Sequence, residues 1–162
     1  FALTTIGLLG TNAYVQAASK SARTLPVHLA VTSWKRAKTL PEDLPGVERR
    51  TPDSGNDFAV VTLQVEGVEG AQLEELPQNV SLVDSDQRQH KQWTLTSTGM
   101  ELNDPTDLSA GLVFPVGATL SFWFELPASA EPQSLMLQYS YSLEGESRST
   151  SQELDLAGKK GK

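Results

Sequence analysis

The chain has no cysteine. That excludes disulfides, thiolate metal sites, iron–sulfur clusters and cysteine nucleophiles, and it fits any redox compartment. Histidine is scarce: His28 and His90 are the only two. Neither has a partner at ligand spacing, and a zinc or copper centre needs several N, S or O donors with a supporting shell. Both histidines read as surface residues, and no metal or cofactor is expected. No Gly-x-Gly-x-x-Gly or Gly-Lys-Ser/Thr phosphate loop occurs, and the many serines lack a Gly-x-Ser-x-Gly elbow. Positive charge is also short, with 13 Lys and Arg against 20 Asp and Glu, a net charge of −7 and a pI near 4.8. A non-specific nucleic-acid binder needs Lys and Arg for phosphate contacts, so no nucleic-acid partner is expected. There is no internal repeat and no long helical periodicity.

What remains is a strand-forming chain. Its 162 residues, 38% hydrophobic and 20% charged, suit one globular domain plus tails. In Asp57 to Glu66 the residues Ala59, Val61, Leu63 and Val65 alternate with Thr62, Gln64 and Glu66, the two-residue period of a half-buried strand. Val27, Leu29 and Val31 alternate in the same way before Trp34. Val80 to Val83, the turn-forming Asp84-Ser85-Asp86, and Trp93 to Leu95 read as a hairpin. Leu120, Phe122, Phe124 and Leu126 share one face of a strand, as do Leu135, Leu137, Tyr139 and Tyr141; Pro127 and Pro132 bound the connection between them. A short strand over Gln152 to Leu156 closes the set.

Lys35 to Asn56 holds three prolines and two glycines among charges and reads as a long solvated loop or a recognition loop. Gly99 to Gly111 reads as another loop. Six or seven alternating strands between turn signals predict an all-β fold, an antiparallel sandwich with Greek-key-like order.

Three regions follow. Residues 1–24 form an N-terminal apolar segment and linker, residues 25–157 the sandwich, and residues 158–162 a basic, mobile tail. Phe1 to Ala18 carries no charged side chain and ends in small residues, similar to the apolar region and cleavage end of a secretory signal peptide. A basic segment would then precede it. Alternatively the segment is an ordered piece that packs on the domain or a neighbouring subunit. Thr4, Thr5, Thr11 and Asn12 make it too polar for a comfortable membrane span, so membrane contact is confined to residues 1–18.

Other motifs have bland readings. Counted from Asp84, a calcium-binding EF-hand pattern would need Gly at its sixth position and Glu at its twelfth; Gln89 and Leu95 stand there. A self-bonded Asp turn is the better reading. Glu66, Glu69, Glu74 and Glu75 read as a solvated acidic loop, since no spacing implies a cleft. Asn79-Val80-Ser81 is a glycosylation sequon, relevant only in a glycosylating host. Alternation places Trp34 with His28 and Thr32, and Trp123 with Ser121 and Glu125. Both face away from the core, where aromatics can anchor a protein partner. Trp34 and Trp123 are therefore the candidate partner-binding residues, with no catalytic residue assigned.

The order of these features resembles a family. The Ser33-Trp34 pair is followed by Asp57-Phe58-Ala59-Val60-Val61-Thr62-Leu63-Gln64-Val65. After it come Leu82-Val83-Asp84-Ser85-Asp86, then Val113-Phe114-Pro115-Val116-Gly117, Phe122-Trp123-Phe124-Glu125-Leu126-Pro127 and a Leu-Met-Leu-Gln-Tyr strand. Together they resemble small bacterial extracellular immunoglobulin-like domains of unknown function, found in lipoproteins and secreted antigens. The likeness covers about Val27 to Leu156. Gln87 stands where that family's turn often has Gly, and no lipobox cysteine is present. The resemblance implies an exported, non-enzymatic sandwich; together with the strand pattern, the export-like N-terminus and the lack of catalytic clusters, the expectation is a module that binds a partner or supports a bacterial cell envelope, in the periplasm or extracellular space. Its rivals are a structural subunit of a surface filament or envelope assembly that packs through residues 1–18, and, least favoured, a hydrolase or metalloenzyme.

Overall fold

The computed structural model describes residues 25–42, 44, 48–98, 101–102 and 112–161. The expectations for residues 1–24, and for most of the loop between Gly99 and Gly111, lie outside the described residues.

The alternating segments of the sequence form strands. The strands are β1 (Val27–Ala37), β2 (Asn56–Gly67), β3 (Gln72–Leu73), β4 (Gln78–Asp84), β5 (Gln89–Lys91), β6 (Thr94–Thr98), β7 (Glu101–Leu102), β8 (Leu112–Pro115), β9 (Thr119–Pro127), β10 (Pro132–Leu143) and β11 (Glu146–Asp155). One sheet is ordered β1-β2-β9-β6. In the other, β5, β4, β10 and β11 are neighbours. β3 continues the β4 side of β10 and carries β8 and then β7. Every strand pair is antiparallel. The two orders correspond to A-B-E-D facing C′-C-F-G, the immunoglobulin arrangement. The protein is an immunoglobulin-like antiparallel β-sandwich.

The inward faces meet in one core. Ala59, Val61, Leu63 and Val65 of β2 and Leu120, Phe122, Phe124 and Leu126 of β9 pack against Leu82, Leu135, Leu137, Tyr139 and Tyr141 of the other sheet. Phe122 and Phe124 are wholly buried; burying a side chain of that size stabilises by about 1.5–3 kcal/mol. With no disulfide available, a hydrogen-bonded cluster joins the sheets at one margin. The Tyr139 hydroxyl lies 2.7 Å from Gln152 Oε1 and 3.1 Å from the Val27 carbonyl. Gln152 Oε1 also accepts from the Leu29 N–H at 3.0 Å. Burial, and then the neighbouring Tyr141, hold the Tyr139 pKa well above that of an ordinary phenol.

The strand pairing adds to the sequence reading or departs from it in four places. The expected Val80–Leu95 hairpin ends at β5: Gln92 and Trp93 cross to the opposite sheet, where β6 pairs with β9. β9 and β10, adjacent in sequence, also lie in different sheets. β11 begins at Glu146, ahead of Gln152, because Glu144 (φ 53°) and Gly145 (φ 82°) form a two-residue turn with both residues left-handed, the twist a tight hairpin requires. The tail is docked where mobility was expected: Lys159 O accepts from Trp34 N at 3.0 Å, and Gly161 N donates to Trp34 O at 2.7 Å.

Candidate functional site

The two expected surface indoles are both interior. Trp34 is 3% exposed and Trp123 is 7% exposed. For Trp34 the cause is a β-bulge. Val31 pairs with Leu63, yet Ser33 pairs with Thr62, leaving Thr32 as an extra residue. One extra residue reverses the facing of everything beyond it. Trp34 therefore sits opposite the inward Val61 and joins the core. Its Nε1–H donates to the Leu156 carbonyl at 3.2 Å, and Lys160 Nζ lies 5.2 Å from its ring centroid.

Trp123 does face away from the core, as alternation predicts, but that face is covered. Leu40, Phe58, Val60 and Trp123 form a second apolar cluster, with Ala37, Leu44 and Trp93 packed against it. Phe58 meets the Trp93 and Trp123 rings at centroid distances of 5.6 Å and 6.2 Å. The cover is the chain between β1 and β2. Its described part is therefore a packed strap rather than the expected solvated or recognition loop.

Glu125 pins this strap. Its carboxylate accepts from the Asp53 N–H at 2.7 Å, from Asn56 Nδ2 at 3.0 Å and from the Arg49 guanidinium. Burial pushes the Glu125 pKa up, but the bonds from Asn56, Asp53 and Arg49 outweigh it, so the group stays below the usual carboxylate range. Arg49 also binds Asp53 and lies over the Trp93 ring. Arg50 donates to the carbonyls of Pro41 and Leu44. At the mouth of the strap, buried Asp57 pairs with Lys38 and Arg36.

The charged motifs of the sequence resolve into local pairs. Asp84, fully buried, holds the β4–β5 turn. It accepts from the N–H groups of Asp86 (2.8 Å) and Arg88 (3.0 Å), and from His90 Nε2 at 2.7 Å. Burial raises its pKa; the His90 bond and the two backbone bonds together lower it further, leaving a net depression. Gln87 closes the same turn with φ 61°, a conformation only Gly adopts freely. His28 pairs with Glu66 at 3.1 Å, Glu75 with Gln78 at 3.3 Å, and Glu74 with Ser147. The acidic run is thus divided among separate partners. Among the described residues no group of three or more His, Cys, Asp or Glu is placed to hold a metal ion, and no helix is long and apolar enough to cross a membrane.

One concave site lies on the outer face of the sheet built on β10. Pro77 has no N–H, and the chain leaves the β10 ladder between β3 and β4. Residues 75–78 therefore stand as a wall beside a floor made by β10 and β11. The cleft has a volume of about 350 Å³, and its lining includes Glu75, Leu76, Gln78, Gln138, Ser140 and Ser149. The register places Gln138 opposite Ser151 and Ser140 opposite Ser149, so the floor is paved with small hydroxyl groups. Nothing in the sequence singles this site out, because the wall and the floor are about 60 residues apart and meet only through β10.

No family model matches the chain, and none of the curated proteins does. Among solved structures, an uncharacterized β-sandwich protein from Clostridium difficile 630 is similar over 81% of this chain and 85% of its own, with 10% identity and a TM-score of 0.36. The sandwich described above stands on the chain's own strand pairing.

Proposed function

We propose that this chain is an exported, non-catalytic immunoglobulin-like module that binds a partner or gives structural support in a bacterial cell envelope. One observation carries the reading. Asp84, Glu125 and Asp57, the carboxylates with the least exposed side chains in the ion pairs described, are each engaged by donors that hold a turn or a strap. A general acid or base needs a site for the reacting atom beside it; these carboxylates face their own chain. The fold is of the kind that leaves one sheet face open to solvent. The uncharged apolar run at residues 1–18 supports export.

The test is expression in a bacterial host of this chain together with any native sequence that precedes residue 1, followed by cell fractionation and metal analysis. The expected result is recovery from the periplasm or medium, free of stoichiometric metal. Recovery from the cytosol alone, or stoichiometric zinc or copper in the purified protein, overturns the reading. Size-exclusion chromatography with and without residues 1–18 decides whether the module acts alone. An assembly that disappears on their removal shifts the conclusion to a subunit that packs through that segment.

A further inference from the structure

A polar cleft lies between the 75–78 wall and the β10–β11 floor. We propose that it binds a neutral saccharide. This names a ligand class for the binding role proposed above, and it rests on the chemistry of the cleft alone.

Charge comes first. Among the described residues no Lys, Arg or His lines the cleft, and Glu75 is its one ionisable carboxylate. A phosphate, sulfate or acidic sugar would meet no cation there and one negative charge. A protein partner is also poorly served, since hot spots concentrate on Trp, Tyr and Arg at the centre of a contact. The cleft's tyrosine, Tyr139, is buried beneath the floor with its hydroxyl turned to Gln152. What is displayed is a set of amides and hydroxyls, groups that both donate and accept. A sugar ring presents the same mixed pattern. Leu76, 42% exposed, supplies an apolar edge for the C–H face of a ring. The volume of about 350 Å³ falls at the small end of ligand pockets, about 300–1,000 Å³, and suits one or two sugar units.

The polar groups are also held in place. β4 carries a bulge here: Ser81 pairs with Met136 and Gln78 with Gln138, so three steps on β4 match two on β10. Asn79, inside the bulge, has φ 51°, a left-handed conformation in which Asn is one of the favoured non-glycine residues. The turn brings Asn79 Nδ2 to Gln138 Oε1 at 2.7 Å. With its oxygen occupied, Gln138 has its NH₂ group available to donate. Ser140 and Ser149 are joined at 2.9 Å, and Gln78 Nε2 donates to Glu75 at 3.3 Å. Bulges that re-aim a side chain recur beside binding sites, and fixing polar groups in advance lowers the cost of binding.

The experiment is a titration of the ¹⁵N-labelled full chain with maltose, cellobiose and N,N′-diacetylchitobiose, with glucuronate as the anionic control, followed by amide chemical shifts. The expected result is a saturable response to at least one neutral sugar, concentrated at Gln78, Gln138, Ser140, Ser149 and Ser151. Glucuronate should bind more weakly. The Gln138→Ala/Ser149→Val pair should weaken binding by about tenfold, as lost hydrogen bonds do, with the circular dichroism spectrum unchanged. If that pair disturbs the fold, Gln78→Ala on the exposed wall serves in its place. No saturable response to any of the neutral sugars, shifts centred elsewhere, or equal binding by the variant each overturns the proposal. None of these outcomes bears on the fractionation result, so the module reading and the ligand reading fail separately.

Discussion

Replacing Trp34 with Ala tests the bulge that turns the end of β1 inward. If strict alternation ran through β1, Trp34 would lie on the solvent side, where substitutions usually change stability by less than about 0.5 kcal/mol. In the structure the indole is 3% exposed, packs in the main core and donates to the Leu156 carbonyl. Removing a buried Trp or Phe costs about 3–5 kcal/mol, transfer and cavity terms together. The Leu156 carbonyl also loses a bond whose net worth is about 1 kcal/mol, although water entering the gap offsets part of that. A loss near 4 kcal/mol is a large share of a typical stability of about 5–15 kcal/mol. With a urea m-value of about 2 kcal/mol/M, the midpoint should fall by about 2 M. The assay is equilibrium urea unfolding followed by far-ultraviolet circular dichroism. Deleting Thr32 is the companion experiment. It removes the extra residue but keeps Val31 opposite Leu63 and Ser33 opposite Thr62. It sacrifices the bond from Thr32 Oγ1 to the Thr62 carbonyl, worth about 0.5–1.5 kcal/mol. The deletion should therefore fold, with a much smaller loss than Trp34→Ala. A cost for Trp34→Ala below about 1 kcal/mol, or failure of the Thr32 deletion to fold, refutes the reasoning.

Three further outcomes are expected. Phe124→Asp places an unpaired charge in the centre of the core and should abolish soluble folding; an unchanged melting temperature would contradict the inward assignment of β9. Gln87→Gly relieves the left-handed conformation at φ 61°, about 1–2 kcal/mol, against about 0.5–1 kcal/mol of glycine entropy. It should raise stability slightly, by up to about 1 kcal/mol, and a clear drop in the thermal midpoint would count against the turn geometry. Asp84 is depressed in the folded state, so its contribution is complete above the unfolded carboxylate value near 3.9. That contribution disappears as pH falls through the lower, folded value. The wild type should lose stability steeply below about pH 4, and Asp84→Asn, already weaker at neutral pH, should show a shallower acid limb; parallel acid limbs would exclude Asp84 as a source of that slope.

Local pattern and tertiary pairing divide the information in this chain. Alternation in β2 and β9 identified the residues of the inter-sheet core, because a two-residue period with one buried face admits no other register. The turn at Asp84 was legible because Asp side chains bond their own backbone over a few residues. Alternation failed where the backbone broke its own period. Nothing in Val31-Thr32-Ser33 announces a bulge, since any of these residues can occupy one, so Trp34 was assigned to the wrong face. Trp123 was assigned to the correct face, but alternation cannot say what covers a face. The strap came from a proline-rich segment with no apolar periodicity, held by Glu125 contacts across about 70 residues of sequence. The sequence by itself determined an all-β chain, the inward residues of its central strands and the absence of thiol chemistry. Only the tertiary structure decided which sheet each strand joins, where the indoles lie and that residues 75–78 wall a polar cleft. These depend on pairings between distant segments, which no local period encodes.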